Sequence, residues 1–590
     1  MGVRPLPRTA IGLPRPAGSL ARSIAEPPLR AVEWLLGLSG IEAAAKRVER
    51  GLETNGALGE VMLESTGVRA VVDARELAQI PARGGAVLCS NHPFGGADAI
   101  TLIALALRRR ADVKVLANGM LRRLPFMSEH CIFVDPFGGA DAARANAAAL
   151  RDALGWLRDG HLLIVFPAGE VSAIAWGRWT PADPPWSVIP FRLAQKTGAR
   201  VVPAWCDGCN RTIFHAAGLL HPRLRTALLP GEFVARFGRE VHYRIGAPFD
   251  STDGGLAPEE LARLARGRCE LLRGEARPPS PAVPSVHIAI APSRSSGAEL
   301  RAELEALGPS GVLAREGSFT VYTGRASALP RTMHELGRLR EEAFRAVGEG
   351  SGKALDLDRF DDHYHQLVLW NDARGEIAGG YRAGVVAEVA RDERGDIDLG
   401  RLYTSTLFEY SPRLVEQLGD AVELGRSFVR PSYQRQPLPL SLLWRAIAVF
   451  MARGGHRRLF GPVSISNEYT SMSKELIMEF LERHRLSVPF APLVKPRHPP
   501  ERSAVAGWTG RERGAATADM ARLDRLVEEI ERGERAVPVL LRQYLRLNAQ
   551  LLAFNVDPDF GDVVDALMLV DIGQIDPRIL RYYLGDAAPA

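Results

Sequence analysis

Between residues 60 and 250, short and wholly apolar runs alternate with longer segments whose apolar positions recur every three to four residues. The short runs, bounded by Gly, Asn or Asp, read as buried strands, and the periodic segments as helices. The pattern predicts strands at Gly85–Ser90, Val113–Ala117, Cys131–Asp135, Leu162–Phe166 and Val201–Trp205, with helices over Ala99–Arg110 and Ala140–Arg158. Such alternation indicates an α/β domain built from crossover units. The stretch 251–317 reads as a helix followed by the linker-like Arg277-Pro-Pro-Ser-Pro-Ala-Val-Pro-Ser285. A second α/β pattern starts at the strand Phe319–Tyr322. A helix follows with Leu336, Leu339, Ala343 and Val347 on one face, and then a hairpin, Leu367–Trp370 with Glu376–Tyr381, across the turn Asn371–Gly375. Leu440, Leu443, Trp444, Ile447 and Met451 mark another amphipathic helix. Residues 496–520, polar and proline-bearing, read as a loop. A helix at Val537–Leu547 and strands at Leu551–Val556 and Ala566–Val570 close the pattern. No internal repeat relates the two halves, so they read as different domains.

Composition narrows this little. Of 590 residues, 46% are hydrophobic and 24% charged, which excludes a mostly disordered chain, a collagen-like chain or a coiled-coil rod. No apolar run reaches the ~18 residues of a conventional membrane span. The net charge of +5 is too small to name nucleic acid as a partner, and none is expected. Five cysteines, with a single Cys206-x-x-Cys209 pair, suggest neither a disulfide framework nor a metal centre. The first 25 residues hold Arg4, Arg8, Arg15 and Arg22 and no acid, and their prolines break any signal-peptide core. The amphipathic segment Leu29–Leu38 behind them is open to two readings: a helix lying in a membrane interface, or one packed on the following domain.

Candidate chemistry begins where the strand 85–90 runs into Asn91-His-Pro-Phe-Gly-Gly-Ala-Asp98. A His and an Asp at the C-terminal end of a buried strand stand where α/β domains place reactive groups. The carboxylate can orient the imidazole, whose free nitrogen can take a proton from a hydroxyl; alternatively, Asp98 simply caps the next helix. The strand 162–166 ends in Phe166-Pro-Ala-Gly-Glu-Val-Ser172, a Gly-bearing loop with a carboxylate. Further strand ends bring Val134-Asp135-Pro136 and Val201-Val-Pro203. In this order the blocks resemble the glycerolipid acyltransferases of the lysophosphatidate-acyltransferase type over about residues 60–250. Three departures, His92-x5-Asp98, Pro136 in place of an Arg, and Glu170 placed after Gly169, look like the branch labelled hemolysin-like or lyso-ornithine-lipid acyltransferases. The resemblance implies that His92 is the base, that Asp98 orients it, and that Asn91, Phe166, Pro167, Gly169 and Glu170 bind the acceptor.

In the second half, charges stand at the ends of apolar strands: Asp358, Asp361, Arg382, and Glu423 with Arg426. An unpaired charge in such places is costly. Glu341 and Arg345 read as an ordinary i,i+4 helix pair. Together with Arg340 and Phe344, the set resembles the acyl-carrier-protein-dependent branch of the GNAT fold, the ornithine-lipid N-acyltransferases and, more distantly, the acyl-homoserine-lactone synthases, over about 318–575. Gln434–Pro439, where acetyl-CoA enzymes carry a Gly-rich turn for the pyrophosphate, holds no Gly. The resemblance implies Glu423 as base or orienter of an α-amine, with Arg340, Asp358, Asp361, Arg382 and Arg426 binding the amino acid or holding the fold. Arg426 either pairs with Glu423 or holds a carboxylate.

The expected fold class is α/β: a glycerolipid-acyltransferase domain followed by a GNAT-like domain. The expected divisions are 1–55 (basic amphipathic segment), 56–250, 251–317 (connection) and 318–590. The expected function is bifunctional. The C-terminal domain N-acylates an amino acid with a 3-hydroxyacyl group, and the N-terminal domain O-acylates the resulting lyso-lipid, giving an aminolipid of the ornithine-lipid type. No permanently bound cofactor or metal is expected. The acyl donor is acyl carrier protein (or acyl-CoA), and the partners are that carrier, the amino-acid and lyso-lipid substrates, and the lipid surface on the cytoplasmic face of the inner membrane. Two other readings stand: a plain lysophospholipid acyltransferase with a degenerate second domain, and a non-catalytic membrane-associated protein.

Overall fold

The computed structural model describes residues 37–54, 56–119, 122, 124–134, 140–175, 178–273, 288–392, 394–502, 508 and 510–584. The basic first 25 residues, residues 29–36 of the amphipathic segment, Asp135 with Pro136, and Arg277–Ser285 lie outside these. The chain divides into two units, Met1–Glu275 with Ala504–Ala518, and Ala276–Ser503 with Asp519–Ala590.

The first unit is built on an eight-stranded sheet. Its strands are β1 (Arg69–Val71), β2 (Ala86–Ser90), β3 (Val113–Asn118), β4 (Cys131–Val134), β5 (Leu162–Val165), β6 (Arg200–Cys206), β7 (Glu240–Ile245) and β8 (Phe249–Asp250). The order is β1-β7-β6-β2-β5-β3-β4, with β8 paired to β6. β2 lies parallel to both β5 and β6. All residues of β2 and β5 are buried, which is why both read as uninterrupted apolar runs. Helix α1 (Gly96–Leu107) leaves the C-terminal end of β2 and buries Leu102, Ile103 and Leu105. The helix Leu38–Glu53 turns Ala44 and Val48 inward.

Two features differ from the sequence reading. The helix Pro258–Leu272, read as part of the connection, packs on β6. The stretch 496–520, read as loop, contains the helix Gly510–Ala516, which packs on Pro258–Leu272. Trp508 and Glu512 are the buried parts of the contact, and exposed Arg511 adds an ion pair to Glu260 at 2.9 Å. Trp508 Nε1 donates to the Arg263 carbonyl at 3.3 Å, over Gly267, where a Cβ would come within 1.7 Å of that nitrogen. Buried Glu512 accepts from Arg263 Nε at 2.7 Å. One Trp and one Glu in a polar stretch leave no periodic signature.

The second unit is an eight-stranded sheet of β9 (Val312–Glu316), β10 (Phe319–Arg325), β11 (His365–Asn371), β12 (Glu376–Val385), β13 (Val422–Val429), β14 (Arg458–Ile465), β15 (Gln550–Asp557) and β16 (Val563–Asp571). The order is β9-β10-β11-β12-β13-β14-β16-β15. The β11–β12 hairpin forms as the sequence predicts: Asn371 faces Glu376, its Oδ1 accepts the amides of Ala373 and Arg374, and Gly375 takes φ 64°. Helix α2 (Pro330–Arg345) buries Leu336, Leu339 and Ala343, and helix α3 (Pro437–Gly454) buries Leu443, Trp444, Ile447 and Met451. β13 and β14 form the parallel pair in this sheet. They are bonded only at Val422–Leu459 and Glu423–Phe460, and beyond these they part.

Candidate active sites

In the first unit the site forms at the C-terminal end of β2. Asn91 closes that end: its Nδ2 donates to the Cys206 carbonyl at 2.9 Å and its Oδ1 accepts the Cys206 amide at 2.7 Å, so the side chain extends the β2–β6 ladder. The chain then turns so that His92 Nδ1 faces Asp98 Oδ2 at 3.1 Å. Asp98 is fully buried, and the same oxygen accepts the amides of Phe94 (2.9 Å) and Gly95 (3.3 Å). It therefore fixes the turn and the imidazole at once, from the third position of the helix and not as its N-cap residue, which is Gly95. The Phe166 ring lies 4.3 Å from the imidazole, centre to centre. Pro167 and Gly169 shape the loop beside it: the Pro167 carbonyl accepts the Ser187 amide, and Gly169 sits at φ 69°. Glu170 projects outward, 65% exposed, and meets Arg225 Nη2 at 2.5 Å.

A residue that sequence reasoning missed supports this site from below. Asp183 is buried; its carboxylate accepts from Ser172 Oγ, from Trp186 Nε1 at 3.0 Å and from the His92 amide at 3.4 Å. Burial opposes a charge on His92, but the Asp98 and Asp183 carboxylates outweigh it, and the imidazole's pKa is held above its ordinary 6.5. Asp183 lies in Pro181-Ala-Asp-Pro-Pro185, a turn-like setting that gives no sign of it. Cys206 is buried and its thiol is pushed well up by that burial, while Cys209 is exposed.

In the second unit the predicted charges gather into one network. Arg340 Nη1 meets Asp361 Oδ1 at 2.9 Å and its Nη2 meets Gln366 Oε1 at 2.6 Å. Arg382 Nη1 meets Asp358 Oδ1 at 2.5 Å and Asp361 Oδ1 at 3.4 Å. Arg382 is fully buried among the rings of Phe360, Tyr364 and Tyr403, which lie 5.0–5.7 Å from its guanidinium. Arg340, Asp361 and Arg382 thus spend their charges on one another, whereas Asp358 and Arg426 keep some exposure. Glu341 is not a surface helix pair. It is fully buried, holds Arg345 Nε at 2.6 Å, and accepts the amides of Ser351 and Gly352, anchoring the loop after α2.

Glu423 and Arg426, weighed as a possible pair in sequence, have separate partners. Glu423 is buried and takes the Tyr364 hydroxyl together with the amides of Tyr403 (3.2 Å) and Thr404 (2.6 Å). Arg426 sits at φ 47°, in the bulge where β13 slips against β12, an uncommon conformation for a side-chain-bearing residue. The bulge aims its guanidinium away from Glu423. Nε meets Asp356 at 3.1 Å, Nη2 meets Asp358 at 3.5 Å, and Nη1 donates to the Tyr403 hydroxyl at 3.0 Å. A second group of acids, also missed in sequence, interacts electrostatically with Arg426. Asp565 on β16 accepts from Ser464 Oγ on β14 at 2.7 Å, past the point where β13 and β14 part. Burial, with Asp557 and Glu349 nearby, pushes its carboxyl up to about 7, Ser464 and Arg426 opposing. Helix α3 opens with Pro437 and Pro439, two positions without a backbone N–H.

Residues 62–266 match the acyltransferase family, and residues 339–445 match the acetyltransferase (GNAT) domain family. A glycine N(alpha)-acyltransferase of Bacteroides thetaiotaomicron is 32% identical over 271 residues, 42% of this chain and 77% of that protein. A lyso-glycine lipid O-acyltransferase of Phocaeicola vulgatus is 29% identical over 147 residues, 25% of this chain and 50% of that protein. An L-ornithine N(alpha)-acyltransferase of Rhizobium meliloti is 26% identical over 249 residues, 40% of this chain and 74% of that protein. With both family matches on one polypeptide, in the order the sequence motifs predicted, the chain belongs to the acyltransferases, a glycerolipid-acyltransferase-type domain preceding a GNAT domain, and is similar to N-acyltransferases of glycine and ornithine.

Proposed function

We propose that this chain carries out both acylations of an aminolipid. The second unit transfers a 3-hydroxyacyl group from acyl carrier protein to the α-amine of glycine, and the first unit esterifies the 3-hydroxyl of that product. The observation that carries the reading is the joint similarity, on one polypeptide, to glycine N-acyltransferases and to a lyso-glycine lipid O-acyltransferase. In the O-acylation His92 holds its Nδ1 proton toward Asp98, leaving Nε2 to take the proton of the hydroxyl as its oxygen attacks the thioester carbonyl. The carrier's thiol leaves with that proton. Phe166 and the Pro167–Glu170 loop border the acceptor. Asn91 supports the strand end rather than touching substrate.

In the N-acylation the donor's pantetheine arm enters where β13 and β14 part, because backbone groups there lack a neighbouring strand. A carrier protein is favoured over coenzyme A. Two prolines in the first turn of α3 remove amides that a pyrophosphate would use. Arg426 holds the amino acid's carboxylate. Glu423, fully occupied by Tyr364 and two amides, orients the Tyr403–Thr404 turn. The ammonium gives one proton to Asp565, whose pKa near 7 suits a base at neutral pH; the neutral amine then attacks the thioester carbonyl, the C–S bond breaks, and the carrier's thiol leaves with a second proton from the nitrogen. N-Acylation then rises with pH through about 7 to a plateau, and Asp565→Asn lowers the plateau and removes that limb. An unaltered limb in the variant assigns the base elsewhere. The enzyme works on the cytoplasmic face of the inner membrane.

Expression in a host that lacks aminolipids, with mass spectrometry of the lipid extract, tests the whole reading. A doubly acylated glycine lipid is expected. A doubly acylated ornithine lipid would correct the amino acid, and changes confined to phospholipid chains would replace the reading with a lysophospholipid acyltransferase.

A further inference from the structure

The helices Thr212–Leu220 and Pro222–Val234 of the first unit pack on each other as a hairpin. Its inner side is well covered: Phe214 and His215 are buried. The outer side is apolar and open. Ile213 and Leu220, seven residues apart and so on one helix face, are 63% and 81% exposed, and Leu224 across the turn is 51% exposed. Exposed Ala216 follows Ile213 by three residues and exposed Ala227 follows Leu224 by three, each on the same helix face. Single exposed apolar side chains are ordinary, but a contiguous strip marks a surface that meets something apolar.

Two observations say what that is. From Arg211 to Val234 the hairpin carries Arg211, Arg223 and Arg225 against one acid, Glu232, which Arg211 meets at 2.8 Å, and the remaining basic excess suits anionic headgroups. The hairpin also rests on the turn between His92 and Asp98: Phe233 lies where a Cβ on Gly96 would come within 2.7 Å, and Leu229 lies close to Gly95. Arg225 joins the hairpin to Glu170 on the loop beside His92. A strip on this element therefore fixes where the site stands relative to whatever it touches.

We propose that the outer face of this hairpin, Ile213, Leu220 and Leu224 foremost, inserts into the surface of an anionic bilayer and holds the His92 site at the level from which a membrane-borne acceptor reaches it. The proposal rests on the O-acylation reading for its purpose but not for its test. Transfer of exposed Leu and Ile side chains out of water is favourable, so three partly inserted residues support a large effect on binding.

The test uses the full chain and vesicles of phosphatidylglycerol and phosphatidylcholine in equal parts. Hydrogen exchange is expected to slow at amides 212–226 on adding vesicles, and less with phosphatidylcholine alone. The triple variant Ile213→Ser, Leu220→Ser, Leu224→Ser is expected to lose that protection and at least tenfold in vesicle affinity, while peptides from β2, β5 and β6 keep their wild-type exchange and report a folded first unit. Unchanged exchange at 212–226 in the wild-type chain overturns the proposal, whatever the rest of the chain binds. So does a wild-type dimer in lipid-free buffer that the triple variant dissociates without any change in exchange on vesicles, because the strip would then be a protein interface. Failure of the O-acylation reading would look different: vesicle protection at the hairpin with no lipid O-acylated.

Discussion

Replacing His92 by Ala is expected to reduce O-acylation by about 10²–10⁴-fold, the usual contribution of a general base, and to let the singly acylated amide accumulate. The expectation follows from geometry. The imidazole stands at the end of a buried central strand, with one nitrogen committed to a fully buried carboxylate and its ring against Phe166. The turn that holds it is fixed by Asp98 through the Phe94 and Gly95 amides, so removing the imidazole leaves the backbone supported. Loss of activity would then report chemistry and not unfolding. The pH dependence gives an independent check. A base must be neutral, and the Asp98 and Asp183 carboxylates raise the His92 pKa despite burial. The acid limb of the O-acylation rate should therefore lie above pH 6.5, with the rate falling as pH drops through it. Asp98→Asn removes the strongest opposing charge, burial then dominates, and the limb moves to lower pH while the plateau drops. Mass spectrometry of the amide and diacyl products, against pH, reads all three outcomes. A His92→Ala chain with undiminished O-acylation would remove the residue from the mechanism.

The sequence shows the first site more clearly than the second, for a physical reason. His92 and Asp98 are separated by one turn at a strand end, so a local pattern contains nearly the whole dyad, and the apolar runs of β2 and β5 announce their own burial. Asp183 is 91 residues away from His92 in sequence and reaches it through tertiary packing alone. The second network draws on α2, the loop after it and strands far apart in sequence. Which charges are present is legible, but which meet is not. Glu423 and Arg426 illustrate this: three residues apart, they invite pairing, and a bulge with a positive φ at Arg426 sends them to different partners. Glu341 and Arg345 do pair as their spacing suggests, yet nothing local shows that the carboxylate is buried and anchors a loop. Asp565 lies in the apolar run Val563–Asp571, where a strand reading explains its neighbours and leaves the acid unexplained until Ser464 appears opposite it.

Asp361→Asn is expected to destabilise the second unit by about 3–5 kcal/mol, the usual cost of removing one partner from a buried ion pair. Its oxygens take Arg340 Nη1 at 2.9 Å, Arg382 Nη1 at 3.4 Å, Gln366 Nε2 at 3.2 Å and the Asp358 amide at 3.0 Å. An Asn keeps the shape and loses the charge, so buried Arg340 loses its charged partner and buried Arg382 keeps only Asp358, whose carboxylate is partly exposed. Burial alone would raise the Asp361 pKa, but Arg340 and Arg382 outweigh it and hold the carboxyl far below the usual range. The sign of the linkage follows. The stabilisation is fully present above the unfolded carboxylate value of about 4 and is lost as pH falls below it toward the depressed folded value. The wild-type advantage over Asp361→Asn should accordingly be constant at neutral pH and shrink in acid. Hydrogen exchange reads this unit by unit: peptides from α2, β11 and β12 should lose protection in the variant while those from β2, β5 and β6 keep it. If the network serves only to hold the fold, adding Arg340→Met to Asp361→Leu should recover much of the stability, because apolar groups of similar volume can replace a buried pair. N-Acylation in that double variant then decides between framework and substrate contact. Stability regained with activity assigns Arg340 and Asp361 to the framework, and stability regained without activity places them against the amino acid. A difference of less than about 1 kcal/mol between wild type and Asp361→Asn would mean that the network is hydrated and contributes as surface pairs do.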